Sequence, residues 1–404
     1  MNGHPGLGYF DEGLDLVEPK LYAAVRKPFG RAQILPPAAY RSKIFADLED
    51  EKIWTRGWVC IGVQQQIPGA GDILPFTVGN HGIHVERLAG GGLIGRFNKA
   101  QHGGCRAIPA QCQTGAKTRC SFTSCGYSRD RAVIHAAEVD EDLRLAGQYL
   151  GDRPERLLPV NVGCWGPFIF VNLDSECESL ADRFKGLGKP TAPYFGAGLK
   201  LVSEQQSELG SNWKLAGHGF LENPSLPFAA GGANKPARPA RSEKPVHAER
   251  LYALADDYAE RFSSLPPLAG LAEAERGNAR LCWLFPNLLL ALMPDSVMAI
   301  ILQPLATAST MQRTALLADQ NAAPDFEELD CLWEEALAGA ADAAEARQLE
   351  LEAWGSPLKP GSSARRLPRE DSAHGYDFQK YLVACILAEH EIYWSAPLYS
   401  QPRR

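Results

Sequence analysis

Histidine and cysteine residues, which bind transition metals, concentrate in one stretch of this sequence. His102, Cys105, Cys112, Cys120 and Cys125 fall within 24 residues. A histidine with several cysteines is the donor composition of a structural zinc site. The intervening lengths of two, six, seven and four residues do not form the paired Cys-x-x-Cys units of a specific zinc motif. Two interpretations stay open: zinc or iron at a remodelled site, and the simpler one of reduced thiols without a metal.

A second group of possible ligands lies near residue 220. His218 and Glu222 are four residues apart, so on a helix they would lie on the same face. Ser225, seven residues after His218, would lie on that face as well. An imidazole and a carboxylate can bind one metal ion, so this pair could hold a relocated metal. The simpler alternative is a hydrogen-bonded histidine beside a solvated glutamate.

Other catalytic motifs are weak. No Gly-x-Ser-x-Gly elbow occurs, and Gly90-Gly91-Gly92 lacks the Lys-Ser/Thr of a phosphate loop. A Ser-His-Asp triad stays possible, because its members are dispersed in sequence. His81 and His84 form a further ligand-spaced pair, and their place at the start of a predicted strand favours exposure to solvent.

Composition indicates a globular protein with much sheet. Of 404 residues, 45% are apolar and 22% charged, and 38 Gly with 29 Pro indicate many turns. The net charge of −7 argues against nucleic acid as a partner. The longest apolar run, Leu284 to Met293, contains Pro286 and Asn287, whereas a membrane span needs about 20 apolar residues. Met1 to Leu14 lacks the features of a secretory signal, so we expect a cytoplasmic protein.

Apolar patterns predict the elements that must position these residues. One amphipathic helix is predicted from Tyr40 to Trp58. Short apolar runs then predict a small all-β domain, with strands at Trp58–Val63, Asp72–Val78, Ile83–Leu88, Leu93–Asn98, Ala132–Ala136 and Pro167–Leu173. An antiparallel meander is predicted further on, at Arg280–Met293, Val297–Leu305 and Gln312–Ala318.

Two helices are predicted near the end of the chain. The first, starting near Pro324-Asp325 and stopping at Gly355, carries apolar residues at helical spacing: Phe326, Leu329, Trp333, Leu337 and Ala341. The second runs through Phe378 and Ile386 with Asp377 as its cap. Residues 229–248 lack apolar periodicity and are predicted to be a solvated loop or a lid.

Eight motifs occur in order along the chain: Ala46-Asp47-Leu48, Trp54 to Val59, Pro68 to Asp72, Arg96-Phe97-Asn98, Leu158-Pro159-Val160, Trp165 to Asp174, Asn212-Trp213-Lys214 and Phe285-Pro286-Asn287. In this order they resemble the large (α) subunit of Rieske non-haem iron oxygenases, which hydroxylate aromatic rings. The resemblance implies an α+β fold. Residues 1–44 would pack on the C-terminal domain, residues 45–174 would form an all-β Rieske-like domain, and residues 175–404 a helix-grip (START/Bet v 1-like) domain with a curved antiparallel sheet and long helices.

The resemblance also implies an apolar cavity in the helix-grip domain, where a small apolar or aromatic ligand would bind. The residues that would line this cavity or simply fill it are Trp283, Phe285, Leu288, Leu290, Met293, Ile300 and Leu302.

Enzymes of this family carry a Rieske [2Fe–2S] cluster, held by two cysteines and two histidines. Its first motif, Asn-x-Cys-x-His, matches Asn98 to His102, with Ala100 in place of the cysteine. The second, Cys-x-x-His, matches Cys120 to Thr123, with threonine in place of the histidine. Alanine has no donor atom and a neutral hydroxyl is a poor ligand for iron. The remnants His102 and Cys120 are therefore not expected to hold a normal cluster.

The family's second centre is a mononuclear Fe(II) bound by two histidines and one carboxylate. By resemblance, Glu222 occupies the acidic position that links the metal centres of neighbouring subunits, and Asp342 matches the carboxylate ligand. Ser225 and Ala230 stand where the two histidines belong. Because one carboxylate cannot hold Fe(II) alone, we expect no catalytic residue and no cofactor here.

Family members assemble as trimers, which suggests a partner for a chain without metals. It could be a structural or regulatory subunit beside an active α-type subunit in a hetero-oligomeric oxygenase complex, and the aromatic end with Tyr393, Trp394 and Tyr399 could pack on another chain. Two alternatives remain: an active oxygenase or other metalloenzyme with relocated ligands, and a small-molecule binding module.

Overall fold

Two antiparallel sheets and a set of helices make up the described part of the chain. The structure, a computed structural model, describes residues 2–4, 9–11, 13–98, 133–141, 150, 154–222, 252–255, 265–277, 279–319, 326–354, 367–370 and 373–388. Near the start, β1 (Asn2–His4) pairs antiparallel with β2 (Tyr9–Asp11). The α+β fold with antiparallel sheets is confirmed.

The first large sheet lies in the N-terminal half. Its strands are β3 (Val59–Val63), β4 (Ile73–Val78), β5 (His81–Arg87), β6 (Leu93–Phe97), β7 (Pro159–Trp165) and β8 (Phe168–Asn172). They follow the spatial order β3-β8-β7-β6-β5-β4, and every neighbouring pair is antiparallel. All residues of β3, β4 and β8 are buried, so these strands lack the alternation of a half-exposed strand.

The second large sheet lies in the C-terminal half. Its strands are β9 (Leu199–Leu209), β10 (Tyr252–Ala255), β11 (Ala279–Leu284), β12 (Leu288–Leu292), β13 (Ser296–Ala306) and β14 (Ser309–Asp319). They follow the order β10-β11-β12-β13-β14-β9, again antiparallel throughout.

The helices of the described residues pack against both sheets. They are α1 (Ala38–Arg41), α2 (Lys43–Glu49), α3 (Ala136–Glu141), α4 (Leu180–Arg183), α5 (Gly188–Thr191), α6 (Trp213–Leu221), α7 (Glu327–Glu352) and α8 (Ala373–Leu387). Along α7, the residues buried against the rest of the protein recur at spacings of three and four, beginning with Leu329 and Trp333. None of the described helices is both long enough and apolar enough to cross a bilayer.

One side chain ties the two sheets together. Asn287, in the turn between β11 and β12, accepts a hydrogen bond from the Cys60 N–H of β3 (2.9 Å) and donates to the Cys60 carbonyl (2.7 Å). It also donates to the Leu302 carbonyl of β13 (3.2 Å). Because all these groups are buried, each needs a partner within the protein. The amide therefore fixes the first sheet against the second.

Residues 33 and 41, before and within α1, form hydrogen bonds and a bridge with residues between 351 and 369. Arg41, which is buried, donates to the carbonyls of Leu351 (2.6 Å), Glu352 (3.0 Å) and Trp354 (2.6 Å) at the C-terminus of α7. Helix ends leave carbonyls without internal partners, and a buried guanidinium satisfies them here. In addition, Gln33 forms a β-bridge with Arg369.

Several predicted strands need correction. The predicted strand Arg280–Met293 is wrong, because the chain turns at residues 285–287 and forms both β11 and β12. Burial on both faces hides this turn from the apolar pattern. The predicted strand Ala132–Ala136 is also wrong over its described residues, 133–136: among these, only Ile134 forms a bridge, and α3 begins at Ala136, whose N–H donates to Asp72 (3.1 Å).

The predicted helices differ at their ends. The single helix predicted over Tyr40–Trp58 is two helices, because Ser42 is extended and caps α2 by accepting from the Phe45 N–H (3.3 Å). A π-helical turn, Asp50–Trp54, then ends it. Helix α7 is confirmed, whereas α8 begins at Ala373, so Asp377 lies within it and is not its cap.

Candidate functional site

The site is built on α6, whose start is fixed by Asn212. Its side-chain oxygen accepts from the Lys214 N–H (3.1 Å), which caps the helix, and its amide nitrogen donates to the Thr307 carbonyl (2.7 Å). Thr307 lies in the turn between β13 and β14. The motif Asn212-Trp213-Lys214 therefore sets the position of α6 against the sheet.

A buried ion pair anchors the first turn of α6. Lys214 Nζ lies 2.6 Å from Glu49 Oε1 of α2, and Trp213 Nε1 donates to Glu49 Oε2 (3.2 Å). Burial lowers the pKa of Lys214 and raises the pKa of Glu49, and their mutual attraction opposes both shifts. With both side chains almost fully buried, the pair connects α2 to α6 and is not open to a substrate.

One turn later, α6 presents His218 to two carboxylates. His218 Nδ1 lies 3.9 Å from Glu222 Oε1, at the end of the helix, and 3.9 Å from Glu370 Oε2. His218 and Glu370 are buried or nearly so, whereas about half of the Glu222 side chain is exposed. The structure thus brings His218 and Glu222 together, as their spacing of four predicts, and adds a third group.

The charges in this cluster stabilise one another. Burial by itself lowers the pKa of His218, but Glu370 and then Glu222 outweigh this effect and raise it above the usual value. Burial raises the pKa of Glu222, but its hydrogen bond and attraction to His218, together with Arg347, outweigh burial and lower it. The metal-free cluster therefore favours an imidazolium between two carboxylates.

Close packing fixes the imidazole ring. Trp283 and Phe378 contact it edge to face, with ring centroids 5.5 Å and 6.0 Å from that of His218. On α8, a Cβ added at Gly375 would lie 2.7 Å from His218 Nδ1 and 2.6 Å from Glu370 Oε1. Only glycine allows α8 to come this close to the cluster.

The cluster opens into a cleft of about 650 Å³ between α6, α7 and the segment around residue 370. Its wall carries the charged side chains Arg347, Glu350 and Arg369. None of the seven apolar residues considered for a ligand cavity lines this cleft, and all seven are buried: Trp283, Phe285, Leu288, Leu290, Met293, Ile300 and Leu302. They pack as core, as the stacking of Trp283 on Phe378 (3.7 Å between centroids) illustrates.

Among the described residues, the predicted carboxylate ligand is not part of this cluster. Asp342 is exposed on α7 and does not line the cleft. Several other predicted residues and segments lie outside the described residues: Ala100, His102, Cys105, Cys112, Cys120, Thr123, Cys125, Ser225, Ala230, the loop 229–248, and the aromatic residues Tyr393, Trp394 and Tyr399.

The residue that precedes the cysteine-rich stretch is held firmly. Asn98 is buried, and its side-chain oxygen accepts a hydrogen bond from His84 Nδ1 (2.6 Å). His84 is buried too, so the expectation of a solvent-exposed histidine is wrong at this position, while the His81 side chain is 43% exposed. Burial lowers the pKa of His84 to about 4, although the hydrogen bond to Asn98 opposes the shift.

Sequence reasoning missed Glu370. It lies far along the chain from His218 and carries no local motif. Its position results from pairing with the N-terminal segment: the Glu370 N–H donates to the Ala32 carbonyl (3.0 Å), and the Ile34 N–H donates to the Pro368 carbonyl (3.2 Å). Such a contact between distant segments leaves no periodic signal in the sequence.

Comparison with known families and curated proteins gives partial matches. The family described as ring hydroxylating alpha subunit (catalytic domain) matches residues 197–352. Choline monooxygenase of Spinacia oleracea is 27% identical over 203 residues, which are 48% of this chain and 44% of that protein. The glycine betaine monooxygenase oxygenase subunit of Chromohalobacter salexigens is 28% identical over 202 residues, covering 50% and 43%. This chain thus spans less than half the length of these relatives.

Solved structures share the fold over almost the whole chain. The quaternary ammonium Rieske monooxygenase CntA with γ-butyrobetaine has a TM-score of 0.59 at 16% identity, covering 91% of this chain and 98% of that one. Naphthalene 1,2-dioxygenase from Rhodococcus sp. has a TM-score of 0.56 at 18% identity, covering 92% and 99%. Residues 197–352 are therefore similar to the catalytic domain of ring hydroxylating alpha subunits, and the fold of the chain is that of the Rieske oxygenase structures.

Proposed function

We propose that this chain is a catalytically degenerate Rieske oxygenase α subunit with a structural or regulatory role in a hetero-oligomeric oxygenase complex. The observation that carries this proposal is the residue types at four motif positions: Ala100, Thr123, Ser225 and Ala230. None of them supplies the thiolate or imidazole that the two iron centres of the family use.

The remaining donors of the mononuclear site do not compensate. Asp342, matched to the carboxylate ligand, is exposed on α7, and Glu222 is engaged with His218. The described donors therefore do not fit a two-histidine, one-carboxylate centre at the family position. We assign no step of oxygen chemistry to this chain.

The scaffold is maintained by contacts that need no metal. Asn212 caps α6 and holds it to the sheet, and Asn287 joins the two sheets. A chain that keeps these contacts can fold and present the surfaces of an α subunit without iron. The division into residues 1–44, 45–174 and 175–404 is part of this proposal.

The proposed partner is inferred from proteins that are similar to this chain. One similar solved structure is described by its inter-subunit electron transfer, so neighbouring subunits cooperate in that protein. We propose an active α-type subunit as the partner, with this chain at alternate positions of a trimeric arrangement. The names of the relatives make choline, glycine betaine and carnitine the first substrates to test for such a complex.

The first experiment tests the loss of the cluster. The chain is expressed with a supply of iron and sulfide, beside an active Rieske α subunit as control, and examined by visible absorption and electron paramagnetic resonance. We expect no two-iron signal. A reduced Rieske signal near one cluster per chain would overturn the proposal.

The second experiment tests the partner. A tagged chain is purified from its native source, and the copurifying proteins are identified by mass spectrometry. We expect an α-type subunit that retains all seven iron ligands in stoichiometric amount. Recovery of this chain alone, as a homo-oligomer, would refute the hetero-oligomeric role while leaving the ligand argument intact.

A further inference from the structure

We propose that His218, Glu222 and Glu370 bind a divalent transition-metal ion, with Zn²⁺ as the best fit, at a position distinct from the iron site of the family. The ion would have a structural role, joining α6 to the segment around residue 370. This inference does not depend on the proposed function, because neither the cysteine-rich stretch nor residues 225 and 230 take part.

The distances are those of a site that needs little rearrangement. One ligand atom from each of the three side chains lies within 4.8 Å of the other two, and both His218 to carboxylate distances are 3.9 Å. Tetrahedral zinc with bonds of 2.0–2.2 Å separates its ligand atoms by about 3.4 Å. The two His218 to carboxylate distances must therefore shorten by about half an ångström and the distance between the two carboxylate oxygens by up to about 1.4 Å, which rotation of the Glu222 and Glu370 side chains can supply.

Two of the three donors are held in place before any ion arrives. Trp283 and Phe378 flank the imidazole, and Gly375 allows α8 to pack directly against the His218 and Glu370 side chains. The Glu370 backbone is fixed by its hydrogen bond to the Ala32 carbonyl. Preorganised donors lose less conformational entropy on binding, so affinity for an ion rises.

The donor set selects the class of ion. One imidazole and two carboxylates suit zinc and similar first-row ions, whereas Mg²⁺ and Ca²⁺ prefer oxygen ligands alone. The cleft beside the cluster gives water access to a fourth position, so the coordination can be completed without another side chain.

Metal binding is tested on the full chain after chelation and dialysis. Zn²⁺ and Mg²⁺ are titrated by calorimetry, and Co²⁺ binding is followed by absorption. We expect one Zn²⁺ per chain to bind with the cluster intact, Mg²⁺ to bind at least 10-fold more weakly, and Co²⁺ to show d–d bands without thiolate charge-transfer bands. Strong thiolate bands that persist in the cluster variants would place the ion on cysteines and overturn the proposal.

Two variants locate the ion. Glu222→Gln changes a half-exposed ligand and should fold normally, and we expect it to weaken Zn²⁺ binding at least about 10-fold. Asp342→Asn is the matched control, since it removes one exposed carboxylate at the family's ligand position, and its Zn²⁺ affinity should equal that of the unmodified chain. Loss of binding in Asp342→Asn with retention in Glu222→Gln would overturn the proposal, as would the absence of Zn²⁺ binding to the unmodified chain.

Discussion

Removing one member of the buried Lys214–Glu49 pair should destabilise the protein far more than removing both. The two side chains are 0% and 4% exposed, and their charged atoms are 2.6 Å apart. Lys214→Met leaves the Glu49 carboxylate buried, with the Trp213 Nε1–H as a hydrogen-bond donor at 3.2 Å but without a cation beside it. Glu49→Met leaves the ammonium group among the rings of Tyr40 and Phe45.

The expected cost follows from desolvation. Breaking a buried ion pair by removing one partner costs about 3–5 kcal/mol, because the other charge stays uncompensated, whereas replacing both charges by apolar groups of similar volume is often neutral. Each single variant should therefore lose about 3 kcal/mol of unfolding free energy or more. The double variant Lys214→Met/Glu49→Met should lose less than either single variant.

Urea denaturation followed by far-ultraviolet circular dichroism measures these three free energies against the unmodified chain. The double-mutant cycle then gives the coupling between the two side chains. If each single variant lost less than about 1 kcal/mol, or if the losses simply added in the double variant, the pair would not be the buried, mutually dependent contact described above.

Three further predictions concern stability. Because the pKa of His84 falls from 6.5 to about 4 on folding, the unfolded chain binds more protons between these values; the contribution of His84 to stability should be complete above about pH 6.5 and fall by up to about 3 kcal/mol on acidification to pH 4, so His84→Gln should lose less stability over this range than the unmodified chain in urea titrations at each pH. Asn287→Ala should cost about 3 kcal/mol in the same assay, because buried backbone groups of both sheets lose their partner, and a loss below about 1 kcal/mol would contradict this role. Gly217→Ala should cost about 1–3 kcal/mol through a clash with the Trp283 ring, whereas Gly186→Ala, with open space around it, should leave the melting temperature nearly unchanged.

The sequence predicted most strands of the first sheet and the long helix α7, because these elements carry their own apolar signal. It missed β9, an edge strand whose central residues from Glu204 to Glu208 are polar and exposed. Backbone hydrogen bonds to β14 hold these residues in an extended strand, although their side chains lack the apolar pattern of a strand. Helix α3 was also missed, because its first backbone N–H donates to the side chain of the distant Asp72.

The candidate site was predictable only in part. The helical spacing of His218 and Glu222 predicts that they meet, since side chains four residues apart share a helix face. Glu370 and Gly375 also lie beside His218, although they are more than a hundred residues from it along the chain. A single sequence gives no periodic signal for such a contact between distant segments. The burial of His84 was missed for the same reason, because its partner Asn98 lies on another strand end.

The bridge between Gln33 and Arg369 has a consequence for any shortened form of the protein. The segment before α1 holds the backbone of Glu370 in place through hydrogen bonds. Removal of the residues ahead of Ala38 would therefore free Glu370, one of the three proposed metal ligands. Proteolytic removal of these N-terminal residues would then weaken metal binding at a site whose ligand Glu370 lies hundreds of residues further along the chain.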